Sequence, residues 1–353
     1  MPEISLAIEG YEVAGWRSVE VRRSIDEFAA SFSLGLAAHV TAGPSVGAIR
    51  PGMAAELRYG DELLVSGWLD EVTERAEARA WSLTVTGRSK AGDLVDCAGL
   101  RKGGWKNTPL DKIARDLCLP FGVGVRSDVT DMPVEPRFRL EDGETVFEAL
   151  DRLARDHAMR ITSDPDGSVR FTRTGTTVFA DVLLERGAGV EAIERRWSYA
   201  QRFSQYIFKA QLAASDETYG EAAAAVKFEV ADDGVERYRP TVVHSSSQRG
   251  GKALAERAAW ERNTRAGASL QISIDYVDPV FPERSWENAH GLWRPNTVVA
   301  VRDADLQVDG LFLVTGVTLR RDPKISASLE LTFPEAYQPE KPPKKRKKGA
   351  PSW

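Results

Sequence analysis

The sequence predicts an α+β, β-rich multidomain chain, with β modules toward both ends and a small α+β unit inserted between them. Three observations carry this. In the first ninety residues, short apolar runs are separated by turn residues, and in "WSLTVTG" Trp81, Leu83 and Val85 alternate with Ser82, Thr84 and Thr86. A period of two marks a strand with one buried face. Two later stretches repeat at helical spacing instead: Leu110, Ile113, Ala114 and Leu117, then Val146, Phe147, Leu150, Leu153 and Ala154. From residue 181 strand-like runs return.

Taken in order, "SVEVRRSID", "EFAASFSLGL" and "MAAELRYGDELLVSGWLDEVTERAEARAWSLTVTG" supply the strands of a first unit, residues 1–96. "YGDE" is a hairpin turn and "LLVSGWLDEV" its return strand. Strands at this spacing suggest a small barrel or sandwich. In "VTGRSKAGDLVDCAG", residues 85–99, the strand ends at Gly87, Ser89 caps a short helix favoured by Asp93 at its positive end, and that helix carries Cys97 inward.

Residues 97–180 form the α+β unit. "NTPLDKIARDLCLPFG" reads as a helix with Thr108 as N-cap, Pro109 in the first helical position and Asp111 three residues after the cap. "GETVFEALDRLARDHAM" is a second helix, and "DPDG" in "RITSDPDGSVRFTR" turns between two strands. In residues 181–340, "AIERRWSYAQRFSQYIFKAQ" alternates over part of its length and "AAVKFEVADDGVERYRPTVVH" reads as a hairpin through "DDG". "GGKALAERAAWERNTRAG" is a helix closed by Gly267, and "SLQISIDYV", "NTVVAVRDADL" and "GLFLVTGVTLRRDPKISASLELTF" resume the strands. No repeat of fixed period is visible. Residues 341–353 are a low-complexity basic tail, expected to be disordered.

Composition narrows the function. The 353 residues are 42% hydrophobic and 28% charged, as in an ordinary globular protein. There is no apolar run of the ~18–20 residues that a membrane helix needs, so no membrane insertion is expected. The N-terminus "MPEISLAIEGYEV" has no secretory pattern. Cys97 and Cys118 make neither a disulfide framework nor a CxxC pair, which suits synthesis in a reducing cytoplasm. Six positive charges, Lys341, Lys344, Lys345, Arg346, Lys347 and Lys348, fall in the tail; without them the body carries −11, against −5 for the whole chain. An acidic body argues against a protein that grips nucleic acid along its surface.

Each chemical motif lacks an essential part, so no catalytic, cofactor-binding or metal-binding residue is assigned and the chain is read as a non-enzyme. "GRSKAGD" places its lysine before the second glycine and has no hydroxyl after it, unlike a phosphate-binding loop, and Arg88-Ser89 breaks a dinucleotide fingerprint. "SSQRGGKA", residues 246–253, has Ser246 where the first glycine belongs and Ala253 where the hydroxyl belongs. His39, His157, His244 and His290 are scattered, without metal-ligand spacing. His244 beside Ser245, Ser246 and Ser247 reads as a polar loop, since triad members converge in space rather than in sequence. Cys97 and Cys118 read as small buried hydrophobes. Glu141-Asp142 and Asp232-Asp233 lie in turns. The tail is either a solubilising end or a polybasic arm for an acidic surface or nucleic acid.

Three stretches add a resemblance. "VTGRSKAGDLVDCA" resembles the join after the first domain in the Mu-type bacteriophage baseplate hub family of tail proteins. "GLWRPNTVVAVRDADLQVDGLFLVTGVTLRRD" resembles that family's C-terminal barrel, and "ISASLELTFPEAY" its closing strand. The resemblance is loose between about 180 and 285, and the basic tail after Tyr337 lies outside it.

The resemblance implies a relative of the T-even phage hub with two barrel-like ring-forming domains, the second spanning approximately 181–215 and 285–337. It implies a homotrimeric ring in the baseplate of a contractile phage tail, or of a tailocin, adapting the hexameric tail tube to the trimeric central spike. Partners would be further copies of the chain, the spike protein, the tail tube protein and other baseplate components, with DNA only in transit through the lumen. Acidic groups are expected to face that lumen. Nine tryptophans are a generous supply of interface anchors. Trp286, Trp293 and Pro295 are candidate subunit contacts, the alternative being that they pack their own barrel. The rival functions are a tail-associated peptidoglycan hydrolase and a nucleic-acid-binding protein acting through the tail.

Overall fold

Among the described residues of the first ninety there are seven strands: β1 (Ile4–Ile8), β2 (Tyr11–Val13), β3 (Ser18–Ser24), β4 (Ser31–Ala37), β5 (Ala54–Tyr59), β6 (Glu62–Ala76) and β7 (Trp81–Ser89). They pair antiparallel in the order β3-β4-β7-β6-β5-β1-β2. The expected turn at Tyr59–Glu62 joins β5 to β6, with Gly60 at φ +55°. Leu83 and Val85 are buried while Thr84 is exposed, so the alternation in β7 does mark its inward face. That face packs with Leu6, Leu34, Leu57 and Val65 in the largest core of the protein. The computed structural model describes residues 4–9, 11–37, 49–77, 81–100, 103–175, 177–210, 226–245, 251–278, 291–321 and 324–338.

The next unit contains α1 (Gly92–Asp96), β8 (Trp105–Pro109), α2 (Leu110–Cys118), β9 (Val125–Ser127), β10 (Val134–Phe138), α3 (Val146–Asp156), β11 (Arg160–Ser163) and β12 (Val169–Thr172). β8 pairs with β10, and β12 lies between β11 and β9. The apolar stripes of α2 and α3 meet around Leu110, Ile113, Leu150 and Leu153. The "DPDG" turn joins β11 to β12, with Gly167 at φ +83°.

Three local expectations fail here. Thr108 pairs with Glu135 in the β8–β10 ladder, and its hydroxyl donates to the Lys106 carbonyl, so Pro109 rather than Thr108 is the extended residue before α2. Ser89 is held in β7 opposite Gly67, and α1 begins only after Ala91. Cys97 follows the end of α1 in extended conformation and is exposed, whereas Cys118 is buried. The best cap is elsewhere: the Thr145 hydroxyl accepts from the Glu148 amide while the Glu148 carboxylate accepts from the Thr145 amide, closing both ends of a capping box on α3.

The remaining elements are β13 (Thr177–Glu185), β14 (Val190–Trp197), β15 (Gln205–Ala210), β16 (Val226–Ala231), β17 (Pro240–Ser245), α4 (Gly251–Ala268), β18 (Leu270–Tyr276), β19 (Thr297–Asp303), β20 (Val308–Arg321) and β21 (Ile325–Thr332). The "DDG" hairpin does not form. β15 lies between β16 and β17, parallel to β17, so the chain crosses over it after Asp232. Arg202 holds Asp232 through two hydrogen bonds of 2.7 and 2.9 Å, which fixes that crossover loop. α4 packs Ala258 against Tyr206 and Phe208 of this small sheet. Gly267 does not close α4, which continues through it to Ala268; a Cβ at Gly267 would lie 2.2 Å from the Ala336 Cβ, so the glycine permits close packing.

Six strands of this region pair as β13-β19-β20-β21-β18-β14. The order repeats that of β1-β5-β6-β7-β4-β3 in the first unit. One irregularity coincides: β6 is bulged against β7 between Leu69 and Glu71, and β20 against β21 between Val314 and Gly316. The halves differ at one end, where β13 pairs parallel with β19 but β1 pairs antiparallel with β5. Aligning the two sets places "VEVRRS" of β3 on "IERRWS" at 193–198. The duplication lacks a fixed sequence period because the connections within the two halves differ in length.

β20 joins the halves. Its first part, Val308–Val314, pairs with β19, and its second part, Gly316–Arg321, pairs antiparallel with β3. One sheet therefore runs through both halves, and one core lies behind it. The chain is strand-rich α+β, as the sequence predicts.

Candidate functional site

Three places where units meet are closely bonded among the described residues. At the first seam, the Ser66 amide on β6 donates to the Pro165 carbonyl in the "DPDG" turn, and the Lys90 amide donates to the Ser66 carbonyl. A Cβ at Gly167 would sit 2.7 Å from the Lys90 Cβ, so the turn approaches the seam more closely than a side chain permits. Asp164 of the same turn accepts from Arg126 and Arg170, tying β9 and β12 to it. Arg23, on the β3 face that also carries Val19 and Val21, lies near Arg294, Glu62 and Asp164. Desolvation, aided by Arg294 and opposed by Glu62 and Asp164, lowers its guanidinium to about 10.

A second seam is a clasp. The Tyr337 hydroxyl donates to Asp26 at 2.8 Å, and Arg160 donates to the Ile25 carbonyl and the Asp26 carboxylate. The Arg160 guanidinium also covers the Tyr337 ring at 4.4 Å. Below them Ile25, Ala158, Trp260, Val298, Leu313 and Ala336 form a small core drawn from every unit of the chain. Burial, reinforced by the Asp26 charge, raises the Tyr337 phenol well above its ordinary range.

The third seam is the β3–β20 joint, where Gly316, Val317, Thr318, Leu319, Arg320 and Arg321 face Ser24, Arg23, Arg22, Val21, Glu20 and Val19. Side chains reinforce it on the polar face: Arg320 pairs with Glu20 at 3.3 Å, and Arg22 reaches Glu330 at 2.8 Å, Thr318 at 3.4 Å and Glu27 at 2.9 Å. The hydrogen bond to Glu330, and then that to Glu27, raise the Arg22 pKa against the opposing effect of its partial burial. On the same face Ser33 lies opposite Glu20, Thr86 opposite Glu71, and Ser328 opposite Thr318.

Trp293 is 1% exposed and stacks edge-on against Tyr276 at 5.4 Å within the large core, and Pro295 is half-buried beside it. Trp286 and the six basic residues of the tail, Lys341, Lys344, Lys345, Arg346, Lys347 and Lys348, lie outside the described residues, as do His39, His290 and Ser246–Ser247. Sequence reasoning missed the clasp residues Asp26, Arg160 and Tyr337, which are far apart in the chain and carry no local signal.

The chemical candidates do not converge. Burial pushes the Cys118 thiol up to about 12, the reverse of an activated nucleophile. His157 is buried against Glu135 at 3.1 Å, and His244 is exposed on β17. Glu141 and Asp142 are exposed in a turn. Among the described residues there is no group of three His, Cys, Asp or Glu side chains placed to hold a metal. A shallow groove lined by Ala98, Leu100, Leu117, Pro120 and Phe121 is apolar apart from Asp116, which accepts from the Trp105 indole. No helix among the described residues is long and apolar enough to cross a membrane.

Residues 3–89 match the family model "Mu phage baseplate assembly protein GpP-like, N-terminal", and residues 91–173 match "Baseplate hub protein gp44-like, second domain". The baseplate hub protein gp44 of Escherichia phage Mu is 32% identical over 326 residues, covering 90% of this chain and 83% of that protein. The 43 kDa tail protein of prophage MuSo2 from Shewanella oneidensis superimposes with a TM-score of 0.83 at 29% identity, covering 95% of this chain and 100% of the other. A tail protein from Neisseria meningitidis MC58 shares the fold, with a TM-score of 0.80 at 20% identity and coverage of 96% and 98%.

Proposed function

The chain belongs to the phage Mu baseplate hub family, and from that premise we propose that three copies close into a ring that adapts a hexameric tail tube to a trimeric central spike and continues the tube lumen. The observation that carries this reading is the internal duplication: each chain holds two β halves of the same strand order, spliced at β3–β20. Three chains then present six similar halves, so a three-fold ring offers an approximate six-fold face. In this reading each half would serve as one of the barrel-like, ring-forming domains, the second drawing on β18 (270–276) besides 181–215 and 285–337. The division at 1–96, 97–180, 181–340 and 341–353 belongs to the same proposal.

The mechanism is mechanical. A load-bearing adaptor needs rigid units and stiff seams, and the "DPDG" contact, the Tyr337 clasp and the β3–β20 joint supply them. The polar face of the continuous sheet is assigned to the lumen. There Arg320 and Arg22 already pair with Glu20 and Glu330, which limits the free cations available to hold a passing phosphate backbone. Trp286 and Pro295 are assigned to subunit contact, while Trp293 packs inside its own half. The basic tail, Lys341–Lys348, is assigned to an acidic neighbour in the spike or baseplate. The protein would be made in the bacterial host cytoplasm and work in the tail of a virion or tailocin, without chemistry of its own.

Electron microscopy of tail particles containing this chain tests the reading. Three copies around a channel at the tube–spike boundary are expected; six copies, or none at that boundary, would overturn it. Deleting residues 341–353 should impair baseplate assembly, and unchanged assembly would remove the tail from the mechanism. Turnover of peptidoglycan by the purified chain would favour the hydrolase reading instead.

A further inference from the structure

Arg23 is a cation whose acceptors are already taken. It alternates along β3 with buried Val19 and Val21, which puts it on the inward side of the sheet, and it is half-buried there. Among the described residues its guanidinium makes no hydrogen bond and no ion pair. Glu62 accepts from Arg294 at 2.9 Å, and Asp164 accepts from Arg126 and Arg170. The fields of Glu62 and Asp164 offset part of the Arg23 charge, yet desolvation outweighs them. An arginine keeps its charge at neutral pH, and a desolvated cation with open donors is costly. The fold does not demand a cation at this place, because the equivalent position in the second half holds Trp197.

The same corner is short of acceptors at a second group. The ladders pair Arg22 with Ser31 and Ser31 with Arg88. One residue further, that register sets Arg23 beside Ala30 and Ala30 beside Ser89, and the Ser89 amide donates to the Ala30 carbonyl at 2.8 Å. Ser89 is 1% exposed, and its hydroxyl has no hydrogen-bond partner among the described residues. Buried hydroxyls are ordinarily bonded. The corner therefore holds donors in excess, and it gains another cation from Arg294, whose side chain is 56% exposed.

We infer that Arg23 and Arg294 form a binding site for a small oxoanion of the phosphate or sulfate class, with Arg23 as its floor and Arg294 at its mouth. A guanidinium presents a planar fork that matches two oxygens of such an ion, and charge-assisted bonds of this kind are among the strong ones. Glu62 is the internal competitor: its carboxylate holds Arg294 in the absence of the ion and repels an anion that approaches. With Arg23 half-buried beneath the sheet, the site suits a free ion rather than a nucleic-acid backbone. The bound ion would link β3 in the first half to the segment before β19 in the second, beside the "DPDG" turn of the α+β unit, and so stiffen the first seam. The inference holds for a single chain and does not depend on the ring reading.

Calorimetric titration of the full chain with sodium phosphate at pH 7, in buffer of matched ionic strength, tests this. A single phosphate per chain is expected, with sulfate competing for it. Phosphate at ten times its Kd should raise the folded-to-unfolded ratio about elevenfold, read as a higher thermal midpoint. Arg23→Met should weaken binding at least about tenfold. Without phosphate it should melt no lower than the parent chain, because it removes an unpaired cation. Glu62→Gln should tighten binding about fivefold by removing the competitor. No binding to the parent chain overturns the inference, and so does unchanged binding to Arg23→Met. A lower midpoint for Arg23→Met in phosphate-free buffer would show that the guanidinium is already satisfied, and would overturn it as well. If Glu62→Gln does not tighten binding, Arg294 is not at the mouth and the site as drawn is wrong. Displacement of phosphate by a DNA duplex would overturn the assignment to a free ion.

Discussion

Replacing Tyr337 by Ala should be among the most damaging changes to the described chain, because it opens the clasp where all units meet. The residue is 7% exposed. Truncating a buried aromatic side chain costs about 3–5 kcal/mol. Losing the Arg160 stack adds about 1 kcal/mol, at the lower part of the cation–π range because the site is near the surface. Losing the hydrogen bond to Asp26 adds about 1 kcal/mol, discounted because the Asp26 side chain is 51% exposed and retains Arg160. Tyr337→Ala should therefore lose about 5–7 kcal/mol, and Tyr337→Phe only about 1 kcal/mol. Urea unfolding followed by tryptophan fluorescence is suitable, since Trp260 packs in the same small core. With a slope of about 3 kcal/mol/M, the Ala variant should unfold roughly 2 M earlier. If both variants shift equally, the ring contributes nothing beyond its hydroxyl and the clasp argument is wrong.

Other perturbations separate the remaining seams. Gly267→Val drives a side chain into Ala336 and should cost about 1–3 kcal/mol, read as a lower thermal midpoint. Arg202→Met strands the buried Asp232 carboxylate and should cost about 3–5 kcal/mol; a neutral result in urea unfolding would mean that solvent reaches Asp232. Thr145→Ala breaks the capping box of α3 and should cost about 1 kcal/mol, detectable by circular dichroism melting. Cys118, pushed from 9.0 to about 12, favours the folded state while it is protonated; that stability is complete below about pH 9 and is lost as the pH rises toward 12. Cys118→Ala should flatten the fall in stability above pH 9 by about 1.4 kcal/mol per pH unit, and an unchanged slope would show that the thiol is not the cause.

By itself the sequence determined whatever depends on neighbours in the chain. Alternation in Trp81–Ser89, apolar spacing in Leu110–Cys118 and Val146–Asp156, and the "YGDE" and "DPDG" turns were legible because backbone geometry and side-chain direction are set within a few residues. Where a longer-range contact competed, the local reading failed. Thr108 and Ser89 were taken into ladders instead of caps, and "DDG" opened into a crossover because β15 filled the place between its flanking strands. Only the tertiary structure could decide the partners. "VEVRRS" and "IERRWS" become equivalent through strand order, and Asp26, Arg160 and Tyr337 meet through packing. Strand pairing is settled by how the whole apolar face is buried, and that sum runs over residues hundreds of positions apart.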